Sequence, residues 1–460
     1  MTNQSLRASV AFGLLAFGLL AVGELQSWNT ALAVLNLCLI SGVMALGLNM
    51  QWGYAGLFNA GVMAFAAIGG VTAVLVSHPP VVEAWQEGGQ PLLTSLLALI
   101  ATIFIIRFAR PRLAAGRPRF WGTIALASIG YFLVRTLFAE AVGLIEAVEP
   151  AKTGFLGGLG LPIITSWLIA GGTAGLLAWA IGRLALGLRS DYLAIATLGI
   201  SEIVISVLKF EDWLARGVKN VTGLKRPVPY EVNLQQTDWF INLVAWLHEG
   251  QLSVVSNPDE TLRELVISSS SIFVKLCYTG LFVSVLCILL FLANRAARSP
   301  WGRMMRAIRD NEHAAAAMGK DVVFRHRQAF IVGSAVIGMA GAMLTTLDGQ
   351  FTPSAYNPLR FTFIIWVMVI IGGSGNNLGS ILGGAIIWFV WVEAEPASQF
   401  VMQHIAATLP ENSDLAAHLL DVAPHMRLFV MGLVLLLVLR FSPQGILAEE
   451  KLQKPTSDTA

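Results

Sequence analysis

The sequence predicts an all-α fold, a polytopic helical bundle that crosses a membrane about ten to twelve times with both termini on the cytoplasmic side. Three observations predict it. The first is composition: of 460 residues, 55% are hydrophobic and 13% charged, and the mean hydropathy is +0.68, whereas a soluble domain carries roughly 25% charged residues. The second is segment length. Leu32–Met50, Leu57–Val76, Ile163–Leu184 and Ile272–Ala293 approach or reach the roughly 20 apolar residues a helix needs to cross hydrocarbon. Such segments must be helical, because an open sheet edge leaves backbone groups unsatisfied in lipid. The third is the side on which the charges fall.

Taken in order, apolar runs centre near Leu15, Ile40, Phe65, Leu99, Ile129, Ala174, Ile200, Val283, Gly338, Val367, Ile386 and Leu435. Some of them could be half-crossings. The first, Ala8–Gly23 after Arg7, fits either a signal peptide or a span whose N-terminus stays inside; the uncleaved span is the reading adopted. Alternation then places Ile106–Trp121 inside, with Arg107, Arg110, Arg112, Arg117 and Arg119. Arg183 and Arg189 also fall inside, as does Ser299–Gln328; five arginines, Arg295, Arg298, Arg303, Arg306 and Arg309, crowd its start and lead into an Ala-rich helix with a Gly stop. The loops assigned outside are acidic: Glu83 and Glu87 in His78–Pro91, three glutamates against one lysine in Glu140–Pro162, and Glu395, Glu411, Asp414 and Asp421 in Glu393–Pro424. Parity and the positive-inside rule agree. The stretch 209–271 falls outside, and its segment Trp239–Leu247 reads as an interfacial helix or as plain surface loop. Residues 448–460 form a polar tail expected to be disordered.

The net charge of +2 says little about partners, and Cys38, Cys277 and Cys287 sit inside apolar runs, a spacing from which no disulfide framework or metal cluster can be built. Gly373-x-Gly375 with Glu393 and Glu395 downstream imitates a dinucleotide fingerprint. The helix after it, however, is apolar all round instead of amphipathic. No phosphate-binding loop and no H-E-x-x-H is present, so the chain should neither hydrolyse ATP itself nor act as an enzyme, and no cofactor or metal is expected. Small residues at Gly171/Gly175, Ser334/Gly338/Ala342 and Gly379/Gly383 mark close helix packing. Gly53, Gly56 and Gly61 faintly echo Gly372, Gly375 and Gly379. Among charges within apolar runs, Glu202 reads as a pathway or gate residue, or as an outer-leaflet residue with a neighbouring partner; Arg135 and Lys275 read as snorkelling side chains.

Three segments carry a resemblance: LGLNMQWGYAGLFNAGVMAFAAIGGVTAVL (Leu46–Leu75), GLRSDYLAIATLGISEIV (Gly187–Val204), and WGRMMRAIRDNEHAAAAMGKDV with AFIVGSAVIGMAGAML (Trp301–Leu344), followed by GGSGNNLGSILGGA and FSPQGILAE. In this order they resemble the inner-membrane permeases of branched-chain amino acid ABC transporters, in particular the LivM-like half. The resemblance implies an N-terminal span (1–30), a permease core (31–77, 163–208 and 272–447), an extracytoplasmic loop (209–271) and an inserted hairpin of two extra spans (78–162). It also implies that 301–322 is a coupling helix docking on a cytoplasmic ATPase, with Arg303, Arg306, Arg309, Asn311, Glu312, Ala316 and Gly319 as contacts. Its Ala face can approach a groove closely, Gly319 is suited to end it, and Arg306 and Arg309 could pair with partner carboxylates. Gly53, Gly56, Asn59, Gly61, Tyr192, Thr197 and Glu202 are candidates for the substrate pathway.

The implied partners are a second, LivH-like permease, two cytoplasmic ATPases, a periplasmic substrate-binding protein and membrane lipid, with no nucleic acid, in a bacterial inner membrane. The implied substrate is a branched-chain amino acid; urea, a short amide or another amino acid is the alternative, and an ATP-independent carrier the rival class. The departures from the family are the 78–162 insertion, an apolar stretch at Ile203–Leu208 where the family often has arginine, and Leu214–Pro227, which keeps only scattered matches.

Overall fold

A computed structural model describes residues 3–114, 116–150, 152–254, 256–409 and 413–449. Glu411 and residues 450–460 of the predicted tail lie outside them. The order begins α1 (Asn3–Leu25), α2 (Trp28–Ala55), α3 (Val62–Ser77), α4 (Val82–Ala109), α5 (Arg117–Ala147), α6 (Ile163–Ala185) and α7 (Ser190–Phe210). Short pieces follow, α8 (Asp212–Ala215), strand β1 (Val221–Thr222), α9 (Glu231–Gln235), α10 (Asp238–Leu247) and α11 (Glu249–Leu252). Then come α12 (Pro258–Arg298), α13 (Pro300–Asp310), α14 (Glu312–Ala317), α15 (Val322–Asp348) and strand β2 (Gln350–Phe351). The chain closes with α16 (Pro358–Gly372), α17 (Asn377–Ala406), α18 (Asp414–Val422) and α19 (Met426–Phe441).

A helix covers every one of the twelve apolar centres. Among the described residues ten helical segments are long and apolar enough to span a membrane, so the chain is an all-α multi-pass membrane protein. Two of the centres fall on helices that stay short, α3 with 16 residues and α16 with 15, about 24 and 22 Å at 1.5 Å per residue, whereas the 16-residue α19 continues α18 into one helical segment, Asp414–Phe441. Local chemistry sets the boundaries. Ser27 accepts from Thr30 N to start α2, Asp321 from Phe324 N to start α15, and Asn376 from Gly379 N to start α17; each satisfies one of the amides a helix start leaves open. The apolar run placed at 272 starts earlier than expected: α12 begins at Pro258, in the first-turn position proline favours, which shortens the stretch expected between spans from 209–271 to 211–257.

Helices α2 and α15 form the centre. Helix α15 packs on α2, α3 and α6, and α2 also packs on α12 and α17. Small residues singled out in the sequence are contact points: a Cβ on Gly338 would run into Ala170 and Ala174 of α6, and one on Gly383 into Met368 of α16; Gly341, which the sequence reading did not single out, is another, where a Cβ would run into the Ala66 carbonyl of α3. Backbones this close leave no volume for larger side chains, and dispersion then does the work that hydrophobicity cannot do in lipid.

The loops sort to two ends. Gln4 Nε2 donates to Ala448 O (3.1 Å), so both described termini share one end of the bundle. At the other end β1 pairs antiparallel with β2, Pro80 bridges Gly157, and Leu156 N donates to Trp213 O (3.1 Å). Helices α4 and α5 pack chiefly on one another and join the rest through this second end, where Ala84, Gly88, Ala141 and Ile145 are buried and Phe138 meets Trp213.

Candidate functional site

At the end that holds the termini, the basic stretch folds as two helices instead of one. Asn311 is extended (φ −157°, ψ 97°) and breaks the run; its side chain accepts from Ala314 N and starts α14. The only cue for the break in the sequence is Asn311 itself, a residue that competes for backbone hydrogen bonds and favours caps. Helix α13 is strongly amphipathic and buries Gly302, Met305 and Ile308, whereas α14 buries nothing and stands out from the surface. Gly319 has φ +75°, and Gly319 N and Lys320 N donate back to Ala316 O (2.9 Å) and Ala315 O (3.2 Å). That pair of bonds is the left-handed glycine stop expected after an Ala-rich helix. Between the two helices lies an open cleft of about 760 Å³, lined by Trp301, Met304, Ala307, Ala314, Met318 and Arg325.

The arginines of this element do different things. Arg303 is exposed and reaches Arg298 O at 3.0 Å. Arg306 turns inward and donates to Ala297 O at 2.7 Å. Arg309 also turns inward: it donates to Gly53 O at the end of α2, pairs with Glu449 at 2.9 Å, and reaches Asp310 at 3.2 Å. Burial opposes its charge, yet the hydrogen bond and charge of Glu449, then Asp310, hold the guanidinium above its ordinary value. Glu312, Ala316 and Gly319 remain exposed with Asn311.

Arg309 thus joins the projecting element to the turn between α2 and α3. Gly56 ends α2 in the left-handed region at φ +69°. The chain then folds back into the bundle, so that Asn59 Nδ2 donates to Gln51 Oε1 (2.8 Å) and Asn59 Oδ1 accepts from Gly61 N (2.8 Å). Gln51 Nε2 donates onward to Phe330 O (3.1 Å) and Ser334 Oγ (2.9 Å) of α15. Thr197 Oγ1 of α7 accepts from Ala60 N (3.1 Å), and Trp366 Nε1 of α16 donates to Asn59 O (2.9 Å). Beside this hub Asn49 Oδ1 accepts from Gly375 N (2.8 Å), and Asn49, Asn377 and Asn294 link in a chain of amides at 3.1 and 2.8 Å. The two glycine segments that echo one another in sequence are therefore in contact.

The structure brings Gly53, Asn59, Gly61 and Thr197 together in one buried cluster with the half-buried Gly56 at its edge; a Cβ on Gly61 would meet the Thr197 carbonyl at 2.5 Å. It separates them from Tyr192, 62% exposed, and Glu202, which face outward from α7. Glu202 has no hydrogen-bond or ionic partner among the described residues. Sequence reasoning singled out none of Gln51, Asn49, Asn294, Asn377 or Trp366. Their signal was there: uncharged amides inside apolar runs need partners as surely as charges do.

The profile of the family described as branched-chain amino acid transport system / permease component matches residues 141–439. The chain belongs to this permease family. It is 24% identical over 419 residues to the probable branched-chain amino acid transport permease protein LivM of Methanocaldococcus jannaschii, covering 90% of this chain and 92% of that one. It is 28% and 26% identical over 228 residues to the high-affinity branched-chain amino acid transport system permease proteins LivM of Escherichia coli and Salmonella typhimurium, half of each chain. No solved structure matches it. The family match begins inside α5, so α4 and most of its hairpin partner lie outside the matched part of the permease.

Proposed function

We propose that this permease is one transmembrane half of an ATP-driven importer of branched-chain amino acids in a bacterial inner membrane. The observation that carries the reading is the continuous path from α14 through α13 and Arg309 to Gly53, and from there through the α2–α3 turn to α7, α15 and α16. A push on the exposed helix pair reaches the centre of the bundle through packed backbone and paired amides, the kind of contiguous network that carries conformational coupling.

Two cytoplasmic ATPase subunits would supply that push, since the chain has no phosphate-binding loop of its own. The small exposed side chains Ala314 and Ala316 allow close approach, and the cleft between Met304 and Met318 can receive an apolar side chain of the ATPase. Because Arg306 and Arg309 are turned inward, Arg303 and Arg325 are the better candidates for pairing with its carboxylates. Arginines crowd the end that holds the described termini, which supports a cytoplasmic assignment for that end. The segment 211–257 at the opposite end would then face a periplasmic substrate-binding protein. A second, LivH-like permease completes the pathway, and Tyr192 and Glu202 on the open face of α7 would look toward it or toward the substrate.

Purification of the tagged chain from native membranes in mild detergent tests this. The reading expects two ATPases and a second permease to remain bound, and Ala316→Glu to release the ATPases while the permease pair persists. Recovery of the chain alone, with solute flux in liposomes lacking ATP, would sink it.

A further inference from the structure

The hairpin formed by α4 and α5 ends in a cluster that the importer reading does not use. Arg107, Arg110, Arg112, Arg117 and Arg119 fall within thirteen residues, and no Asp or Glu occurs between Glu87 and Glu140. Four of the five are exposed. Among the described residues none of them forms an ion pair; Arg112 lies over the Phe108 ring at 4.0 Å, and Arg119 reaches Leu113 O at 3.2 and 3.3 Å. Just inside the cluster Phe104, Phe108, Phe120 and Trp121 are all more than half exposed. Beyond these aromatics the hairpin shaft is apolar and open: only 6% of the most apolar stretch of either helix is buried. The helices hold each other, for example where Gly130 seats Thr102, but the hairpin is fastened to the bundle at its opposite end.

The order along the hairpin is therefore apolar shaft, aromatic collar, arginine cap. That is the order of chemistry met on leaving a bilayer: acyl chains, the headgroup boundary where aromatic rings settle, then phosphate. An arginine fork matches phosphate oxygens with paired hydrogen bonds, and clustered basic residues next to a span concentrate acidic lipid. We propose that the hairpin tip is a binding site for anionic phospholipid headgroups, held by Arg110, Arg112, Arg117 and Arg119, and that it pins the free end of the hairpin to the membrane surface. The occupant is the lipid surface because the shaft leading to the tip is itself bathed in lipid, and the collar marks where the surface lies.

The test uses the complex as purified from membranes, exchanged into nanodiscs of phosphatidylglycerol mixed with phosphatidylcholine, with bound lipid counted by native mass spectrometry after release. Wild type is expected to retain phosphatidylglycerol over phosphatidylcholine by roughly tenfold, with the preference shrinking as salt screens the charges. Replacing the four arginines with glutamine should abolish the preference, while replacing them with lysine should keep most of it. Equal retention by wild type and the glutamine variant overturns the proposal. So does loss of an acidic protein subunit, in place of lipid, from the glutamine variant. Displacement of the lipid by millimolar inorganic phosphate would assign the arginines to a free anion and also overturn it.

Discussion

Helices α2 and α4 have the same length, 28 residues, and nearly the same hydropathy, yet 78% of the most apolar stretch of α2 is buried within the protein and 6% of that of α4. Hydropathy puts both in the membrane and says nothing about what surrounds them there. What separates them is the other residues. Helix α2 carries Asn36, Ser41, Asn49 and Gln51, all buried, and glycines at 42, 47 and 53 that admit neighbouring backbone. The outer half of α4 carries Leu96, Leu97, Ile100, Ile103 and Phe104, all exposed. In lipid, where another leucine gains little over an acyl chain, small residues and paired amides mark the protein interior.

The contrast breaks most sharply if an interior glycine tolerates bulk. Gly341→Leu would drive a side chain into the Ala66 carbonyl of α3, a backbone neighbour that cannot swing away. We expect no monodisperse protein on size-exclusion chromatography, an effect beyond the ~1–3 kcal/mol typical of core overpacking. Gln51→Leu comes next. It keeps the volume but strips Asn59 Nδ2 of its acceptor and Ser334 and the Phe330 carbonyl of a donor. Stranding buried polar groups costs about 1–3 kcal/mol each, so the melting temperature should fall by several degrees. An unchanged melting temperature would show that the α2–α3 turn is held by packing alone.

Arg309→Gln is expected to do less to stability and more to function. It removes the Glu449 pair and weakens the tie to Gly53 O, both at the end of the bundle that holds the described termini. If the permease works in the ATP-driven importer proposed above, transport per ATP hydrolysed in the reconstituted assembly should drop roughly tenfold while melting shifts little. Glu449→Gln should reproduce part of the loss. Coupling at the wild-type level in both variants would remove Arg309 from the path between α13 and α2.

The difference between the two regions also shows what the sequence can and cannot disclose. The apolar runs at all twelve centres became helices because in lipid the backbone has no other way to satisfy itself. Pairs such as Gly171/Gly175 and Gly379/Gly383 proved to be contacts, since a stripe without side chains has no other use in a helix. The short length of α3 was not legible from hydropathy, because the turn at Gly56–Gly61 dips inward and its apolar residues Leu57 and Phe58 read as part of the run that follows. Nor was the inward turn of Arg306 and Arg309 legible. Both stand on the same helix as the exposed Arg303, and only the position of Ala297 O, Gly53 O and Glu449 decides which way each guanidinium points.

The smallest expected effect is the most searching for the comparison. Leu97→Ala, Ile100→Ala and Phe104→Ala lie on the open side of α4, where each of the three residues is 55–65% exposed. If acyl chains are their surroundings, truncation exchanges one apolar contact for another, and each should move stability by less than about 0.5 kcal/mol, the range of surface substitutions away from special features. Thermal melting of the purified protein in one fixed lipid composition measures this. A loss like that of Gln51→Leu would mean that another protein surface covers this side of the hairpin in the assembly, and α4 would then differ from α2 only in having its partner on a separate chain.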